Sequence, residues 1–374
     1  MDEELKSFVA VWICTIAALY YCSSAVSAIP QGTLRLLALL PIVFLFTVLP
    51  LKLSSFHIGG PTAFFLAWLG NFKLLLFAFD KGPLAQSRNL LHFISVACLP
   101  IKPQSLDKTH APSRDAFIVP RYVLLAIKVV LLALIFKAYE NRPYMHPNLV
   151  LALYCVHTYL ELEVVLAISA IPARALLGCE LEPQFNEPYL ATSLQDFWGR
   201  RWNLMVTSIL RPTVYHPVRS LFAPVTGHKL SSLPATIATF IVSGLMHELI
   251  YYYLARVHPT WEVTWFFVLH GACVAAEMAA KRGLVGRWRL HRAVSGPLTL
   301  AFVAVTGVWL FFPQLTRNGV DDKAIGEYYG LGPGWKVAAP PGSFGAIDTG
   351  IHGGYRCLAI LTRNGVDDKA IGEY

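Results

Sequence analysis

The sequence predicts an all-α protein, a polytopic transmembrane bundle of about eight spans with added interfacial or re-entrant helices. Three observations carry that expectation. Only 14% of the 374 residues are charged, against about 25% in a soluble globular domain, too few to keep a body of this size dispersed. Uncharged stretches are long: 28 residues separate Lys6 from Arg35 and 20 separate Lys52 from Lys73, near or above the ~20 needed to cross ~30 Å of hydrocarbon. The mean hydropathy of +0.50 agrees.

In order, spans are expected over residues 7–29, 36–51, 61–79, 119–139, 147–171, 233–255, 261–280 and 294–312. The first is preceded by Asp2, Glu3 and Glu4 rather than by a basic flank, and it is too long for the apolar core of a signal peptide. It is read as a retained span. Two weaker segments, 90–100 and 202–222, are too short or too basic to cross and are assigned to the interface or to re-entrant pieces.

Charge gives the orientation. Lys81, Arg88, Lys102, Lys108 and Arg114 lie in one loop; Arg174, Arg200, Arg201, Arg211, Arg219 and Lys229 in a second; Lys281, Arg282, Arg287, Arg289 and Arg292 in a third. With eight crossings all three fall on one side, which the positive-inside rule makes cytoplasmic. Topology thus accounts for the net charge of +8. The cations form no continuous face, which argues against a nucleic-acid partner. Within the spans, Lys128 is expected to snorkel to the interface. The seven cysteines show no CxxC spacing and mostly lie in apolar runs, so neither a disulfide framework nor a zinc site is expected.

Residues 315–328 and 361–374 carry the identical segment LTRNGVDDKAIGEY. The 32 residues between the copies hold eight Gly and three Pro, a composition that buries too little apolar area to order itself. Two copies also fall short of the three a solenoid needs. The expected organisation is a membrane domain over 1–314, an end segment over 315–328 and a Gly/Pro-rich tail over 329–374 without a function of its own.

Ionisable side chains cost on the order of 3 kcal/mol at midspan on insertion scales, so each one is a functional candidate. The fifth span carries His157, Glu161 and Glu163, the sixth His247 and Glu248, the seventh His270 and Glu277. At about 1.5 Å per residue the three imidazoles fall within roughly 3 Å of one level, and a shared polar chamber is expected. The plain alternative, hydrogen bonding to a neighbouring helix for packing, weighs most on His157 and His270. His247 differs because Ser243 and Gly244, at i−4 and i−3, remove bulk from its helical face and leave room for a substrate. A neutral imidazole is also the commonest general base near pH 7. A zinc-protease reading of His247 and Glu248 fails at Tyr251, where HExxH needs its second ligand, and no metal is expected.

A second cluster is SLQDFWGRRWN over 193–203. Trp198, Arg200, Arg201 and Trp202 can be interfacial anchors. Asn203 is harder to dismiss, since an amide entering the membrane must find partners or cost several kcal/mol. It is expected to point into the chamber of His247.

DFWGRRWN, followed about 40 residues later by GLMHELIYYY and then by FFVLHG, resembles the membrane-bound O-acyltransferase superfamily. Within it the likeness is to the plant wax synthase group, the long-chain-alcohol O-fatty-acyltransferases with relatives acting on sterols or diacylglycerol. The specific part covers about 172–271. The resemblance implies that His247 is the family's intramembrane histidine and Asn203 its upstream asparagine. It implies an enzyme of the endoplasmic reticulum membrane whose partners are acyl-CoA, as co-substrate rather than bound cofactor, and a lipid alcohol, foremost a long-chain fatty alcohol. In that scheme His247 takes the alcohol proton, and Asn203 holds the thioester or donates to the developing oxyanion. Arg200, Arg201, Trp198 and Trp202 hold the coenzyme, and Ser243, Gly244 and His270 border the substrate. Sterol or diacylglycerol acceptors stand as alternatives within the same chemistry. A transporter would need repeated, interrupted helices in both halves, which the sequence does not show, and intact His247 and Asn203 argue against an inert lipid-binding scaffold.

Overall fold

The computed structural model describes residues 2–101, 121–178, 181–283 and 291–330. Among these the regular structure is entirely helical. Eight helices are long and apolar enough to cross a membrane: Glu3–Ala28, Thr33–Lys52, Phe56–Ala78, Tyr122–Tyr139, Pro147–Ala175, Ser232–Ala255, Glu262–Gly283 and Arg292–Arg317, numbered here spans 1 to 8. Every expected span is present with ends shifted by a few residues. Span 5 runs furthest beyond expectation, its helix continuing to Leu177, where Gly178 takes a left-handed φ of 59° and ends it.

Ties between helix ends fix the parity of the helices. Glu4, at the start of span 1, accepts hydrogen bonds from the Ser54 and Ser55 N–H groups between spans 2 and 3. Arg142, after span 4, pairs with Asp321 and Asp322 beyond span 8, and Arg256, after span 6, donates to the carbonyls of Leu51 and Leu53. At the other end Arg35, at the start of span 2, donates to the Phe77 carbonyl near the end of span 3. Lys281, at the end of span 7, reaches Ser193 and Gln195 after span 5. Even-numbered connections meet at one end and odd-numbered ones at the other, as eight crossings require.

The two weaker segments take distinct forms. Leu90–Cys98 is a nine-residue helix, too short at about 1.5 Å per residue to cross, and it re-enters the body with Phe93, Val96, Ala97 and Cys98 buried. Its last carbonyls are capped by span 3: the Lys73 ammonium, wholly buried, donates to Val96 and Leu99 oxygens at 2.6 and 2.8 Å. The second segment is longer than expected, a helical stretch over 204–230 built from Leu204–Leu210, a wide turn Arg211–Tyr215 and His216–Leu230.

Further wide turns of the i→i+5 type lie at Phe64–Gly70, Phe197–Arg201 and Gly307–Phe311. Each inserts a residue and re-aims the side chains around it. These three supply Trp68, Trp198 and Phe311, the rings that surround the histidines of spans 6 and 7.

One expectation changes here. Lys128 does not snorkel; it is 5% exposed and pairs with Glu163 and Glu187. The first copy of the repeated segment is part of the body, its helix Val320–Tyr328 burying Val320, Ile325 and Gly326. The second copy, the tail from residue 331, Lys102, Lys108, Arg114, Cys179, Arg287, Arg289 and Cys357 lie outside the described residues. Cys14, Cys22, Cys98, Cys155 and Cys273 are free thiols.

Candidate active site

His247 sits in the interior of span 6, half-buried, with its Nδ1 2.8 Å from the Ser243 carbonyl one turn back. A carbonyl only accepts, so Nδ1 carries the proton and donates, and Nε2 keeps the basic lone pair. Nε2 has no hydrogen-bond partner among the described residues. Three aromatic rings enclose the imidazole: Phe267 stacked at 4.3 Å, Trp68 edge-on at 4.9 Å and Phe311 at 5.7 Å between centroids. The Trp68 indole N–H is buried beside it without a partner among the described residues.

Gly244 does not open space for a substrate. A Cβ there would meet the Thr264 Cα at 3.0 Å and the Phe267 Cβ at 3.3 Å, so the missing side chain lets span 7 close onto span 6 and brings Phe267 against His247. Ser243 contributes through its backbone carbonyl, its residue buried in the same contact. Glu248 turns to span 7 and accepts from the Thr264 N–H and hydroxyl, both at 3.3 Å. Tyr251 donates its hydroxyl to the Phe311 carbonyl at 2.7 Å.

His270 also differs from expectation. It is wholly buried, with both nitrogens used. The Trp198 Nε1–H donates to Nδ1 at 3.0 Å, and Nε2 lies 2.9 Å from the Thr306 hydroxyl. Because an indole can only donate, Nδ1 is the acceptor and Nε2–H donates to Thr306, whose own hydroxyl donates to the Phe302 carbonyl. His270 is therefore a post that links Trp198 to span 8 through Thr306, with both ring nitrogens taken up by protein partners.

The 193–203 segment plunges from one end of the bundle into its interior. Ser193 caps the entry, its hydroxyl accepting from the Asp196 N–H, and the Gln195 N–H donates to Glu277. Glu277 thus belongs to this end and not to the chamber. Trp198 reaches Phe240, Phe266 and Phe267, too deep for a headgroup anchor. Trp202 stacks on Phe197 at 5.3 Å and meets Phe185 edge-on. Arg201 is committed internally: Nε donates to Asp196 at 2.7 Å and Nη1 to the Asn186 and Glu187 carbonyls. Arg200 remains exposed. Asn203 has a left-handed φ of 36°, tolerated by Asn yet costing on the order of 1 kcal/mol. Its Oδ1 accepts the Val206 N–H at 3.2 Å, so it starts the 204–230 helix as its N-cap.

His157 does not join the chamber. Its Nδ1 lies 3.0 Å from the Tyr139 hydroxyl, and Nε2 lies 3.5 Å from Glu161. It lines a small cavity with His57, Glu161, Phe312 and Asp321 at the end where the even-numbered connections meet. There Glu327 accepts from the Ser55 hydroxyl and the Phe56 and His57 N–H groups. Burial pushes that carboxyl up, but the hydrogen bonds from the His57 ring, Phe56, Ser55 and the His57 N–H prevail and hold it at about 2. Glu163 lies apart again, with Lys128. Residue counting along a span predicts a level for each imidazole but not its position around the bundle. Trp68, Phe267, Phe311 and Thr306 were missed because they are ordinary span residues until wide turns and a close helix contact bring them in.

The family model described as "Membrane bound O-acyl transferase family" matches residues 181–269, which contain the whole 193–203 segment and His247. The long-chain-alcohol O-fatty-acyltransferase of Simmondsia chinensis is 54% identical over 333 residues, 88% of this chain and 95% of its own length. Probable long-chain-alcohol O-fatty-acyltransferase 1 of Arabidopsis thaliana is 50% identical over 331 residues, 87% and 96% of the two chains. Acyl-CoA–sterol O-acyltransferase 1 of Arabidopsis thaliana is 46% identical over 331 residues, 88% and 96%. With relatives this similar over nearly their full length, the chain belongs to the membrane-bound O-acyltransferase family.

Proposed function

We propose that this acyltransferase joins the acyl group of an acyl-CoA to a long-chain fatty alcohol, with His247 as general base. The observation that carries the assignment is the Ser243 carbonyl on Nδ1, which leaves Nε2 as a positioned proton acceptor. Nε2 removes the alcohol proton as the alcohol oxygen attacks the thioester carbonyl. The tetrahedral oxyanion collapses, the C–S bond breaks, and the departing thiolate takes the proton back from Nε2. The positive imidazolium formed between these steps is stabilised by its Nδ1–H bond to Ser243.

Two donors are assigned to oxygen. The Asn203 amide supports the developing oxyanion, a task worth about 3 to 4 kcal/mol in acyl transfer, and the unpartnered Trp68 indole N–H beside the imidazole supports a substrate oxygen. Arg200, exposed and without a partner among the described residues, suits the anionic coenzyme; Arg201, Trp198 and Trp202 act by building the segment. The basic loops face the cytoplasm in the endoplasmic reticulum membrane, where acyl-CoA arrives, and the alcohol enters from lipid. The sterol acyltransferase relative favours a sterol acceptor as the second reading.

The test is expression in a yeast strain without its own neutral-lipid acyltransferases, with labelled acyl-CoA and a panel of fatty alcohol, sterol and diacylglycerol. Wax ester is the expected product, and His247→Ala is expected to lose about 10³-fold in rate. Full activity in that variant, or no ester from any acceptor with folded protein present, refutes the proposal.

A further inference from the structure

Lys128 is a buried cation that the chemistry does not use. It lies in span 4, 5% exposed, with its ammonium 2.7 Å from Glu163 of span 5 and 3.2 Å from Glu187. The Tyr159 and Tyr189 rings flank it at 5.7 and 5.6 Å. Glu187 belongs to the connection after span 5, and its backbone is left-handed, φ 44°. That conformation is unusual for a non-glycine residue and persists only when surroundings over-determine it.

The connection around Glu187 is paired with the segment that ends in Asn203. The Leu204 N–H donates to the Gln184 carbonyl at 2.8 Å, and the Asn186 N–H to the Arg201 carbonyl at 2.9 Å. The Arg201 guanidinium closes on the Asn186 and Glu187 carbonyls. Trp202, one residue before Asn203, rests against Phe185 and Tyr159. Two left-handed residues thus lie on backbone segments paired with each other, and among the described residues Lys128 of span 4 holds one of those segments through Glu187 and the Tyr189 ring.

We propose that Lys128 is a positioning residue for acyl transfer, holding Glu187 so that the 184–187 backbone sets the conformation of Asn203. This rests on Asn203 acting on the reacting oxygen. Without the ammonium, two carboxylates face each other in a buried setting and repel. The connection then moves away from span 5 and releases the 201–204 backbone.

The experiment uses the full-length protein in microsomes, with kcat and KM for acyl-CoA measured at saturating fatty alcohol for Lys128→Met, Lys128→Arg, Glu187→Gln, Asn203→Ala and the Lys128→Met/Asn203→Ala double variant. Lys128→Met is expected to lose about 10²-fold in kcat, the scale of a 1 Å misplacement, with KM changed less than about threefold. Lys128→Arg keeps the charge and recovers most of the rate. Glu187→Gln leaves the Lys128–Glu163 pair balanced and takes the charge out of the tie to the connection, so it tests the same link if Lys128→Met does not fold; its kcat is expected to fall, by less than in Lys128→Met. In the Asn203→Ala background the Lys128 change should add nothing, since both act on one step. Wild-type kcat in Glu187→Gln, or a double variant slower by the full product of the single losses, overturns the proposal for Lys128 alone. A wild-type rate in Asn203→Ala overturns the role of Asn203 and the route through it.

Discussion

Replacing Glu327 by Gln removes one carboxylate from the end of the bundle where spans 1, 3 and 8 meet. The carboxylate accepts from the Ser55 hydroxyl at 2.8 Å, the Phe56 N–H at 2.7 Å, the His57 N–H at 3.1 Å and the His57 ring at 3.1 Å. It occupies the amino end of span 3, where the first N–H groups lack helical partners and the helix dipole favours an anion. A carboxyl held at about 2, down from 4.5, corresponds to roughly 3 kcal/mol at about 1.4 kcal/mol per unit. The side chain is 25% exposed, and screening reduces this to about 2 kcal/mol. At an unfolding entropy of about 2 cal/mol/K per residue, a body of this size should melt about 3 °C lower in the variant. The sign with pH follows from the depressed value. The contribution is complete above the unfolded carboxyl's pKa near 4.5 and is lost as pH falls toward 2. Thermal unfolding of detergent-purified protein, followed by tryptophan fluorescence from pH 7 to pH 3, should show wild type and variant converging as acid is added. Equal melting temperatures at pH 7, or parallel curves throughout, refute the reasoning.

Three further substitutions separate structure from chemistry. Gly271→Ala places a Cβ 2.7 Å from the Phe240 Cβ; it should cost about 1 to 3 kcal/mol, read as a lower melting temperature, and should disturb Trp198 through Phe240. Trp198→Phe keeps a ring but leaves the buried His270 Nδ1 unsatisfied, a loss of about 1 to 3 kcal/mol measurable by the same melt. Trp68→Phe removes a donor with no partner among the described residues, so stability should hold while ester formation falls about tenfold; unchanged activity would leave that indole no part in substrate binding.

The spans were legible because twenty apolar residues in a row have few other uses, and parity followed from where the cations fell. His247 and Asn203 stood out because polar groups are costly at that depth. What hydropathy could not carry was direction around the bundle axis. His157 is expected level with His247 yet meets Glu161 and Tyr139, while His270 turns to Trp198 and Thr306. Gly244 reads equally as room for a ligand or as close helix contact, and only the Thr264 backbone beside it decides. Lys128 and Arg201 look like surface cations because their carboxylate and carbonyl partners lie 35 to 59 and 5 to 15 residues away. The wide turns that aim Trp68, Trp198 and Phe311 have no compositional mark.

The group that closes the start of span 3 is synthesised 270 residues after His57. As the chain is made, spans 1 to 3 enter the bilayer with the amino end of span 3 open to water. Glu4 can secure Ser54 and Ser55 early, but Glu327 arrives only after the eighth span has been threaded. The end of the bundle where the even-numbered connections meet is therefore assembled last, and its closing doubles as proof that every preceding helix was inserted: a chain that skips one crossing delivers Glu327 to the wrong face of the membrane.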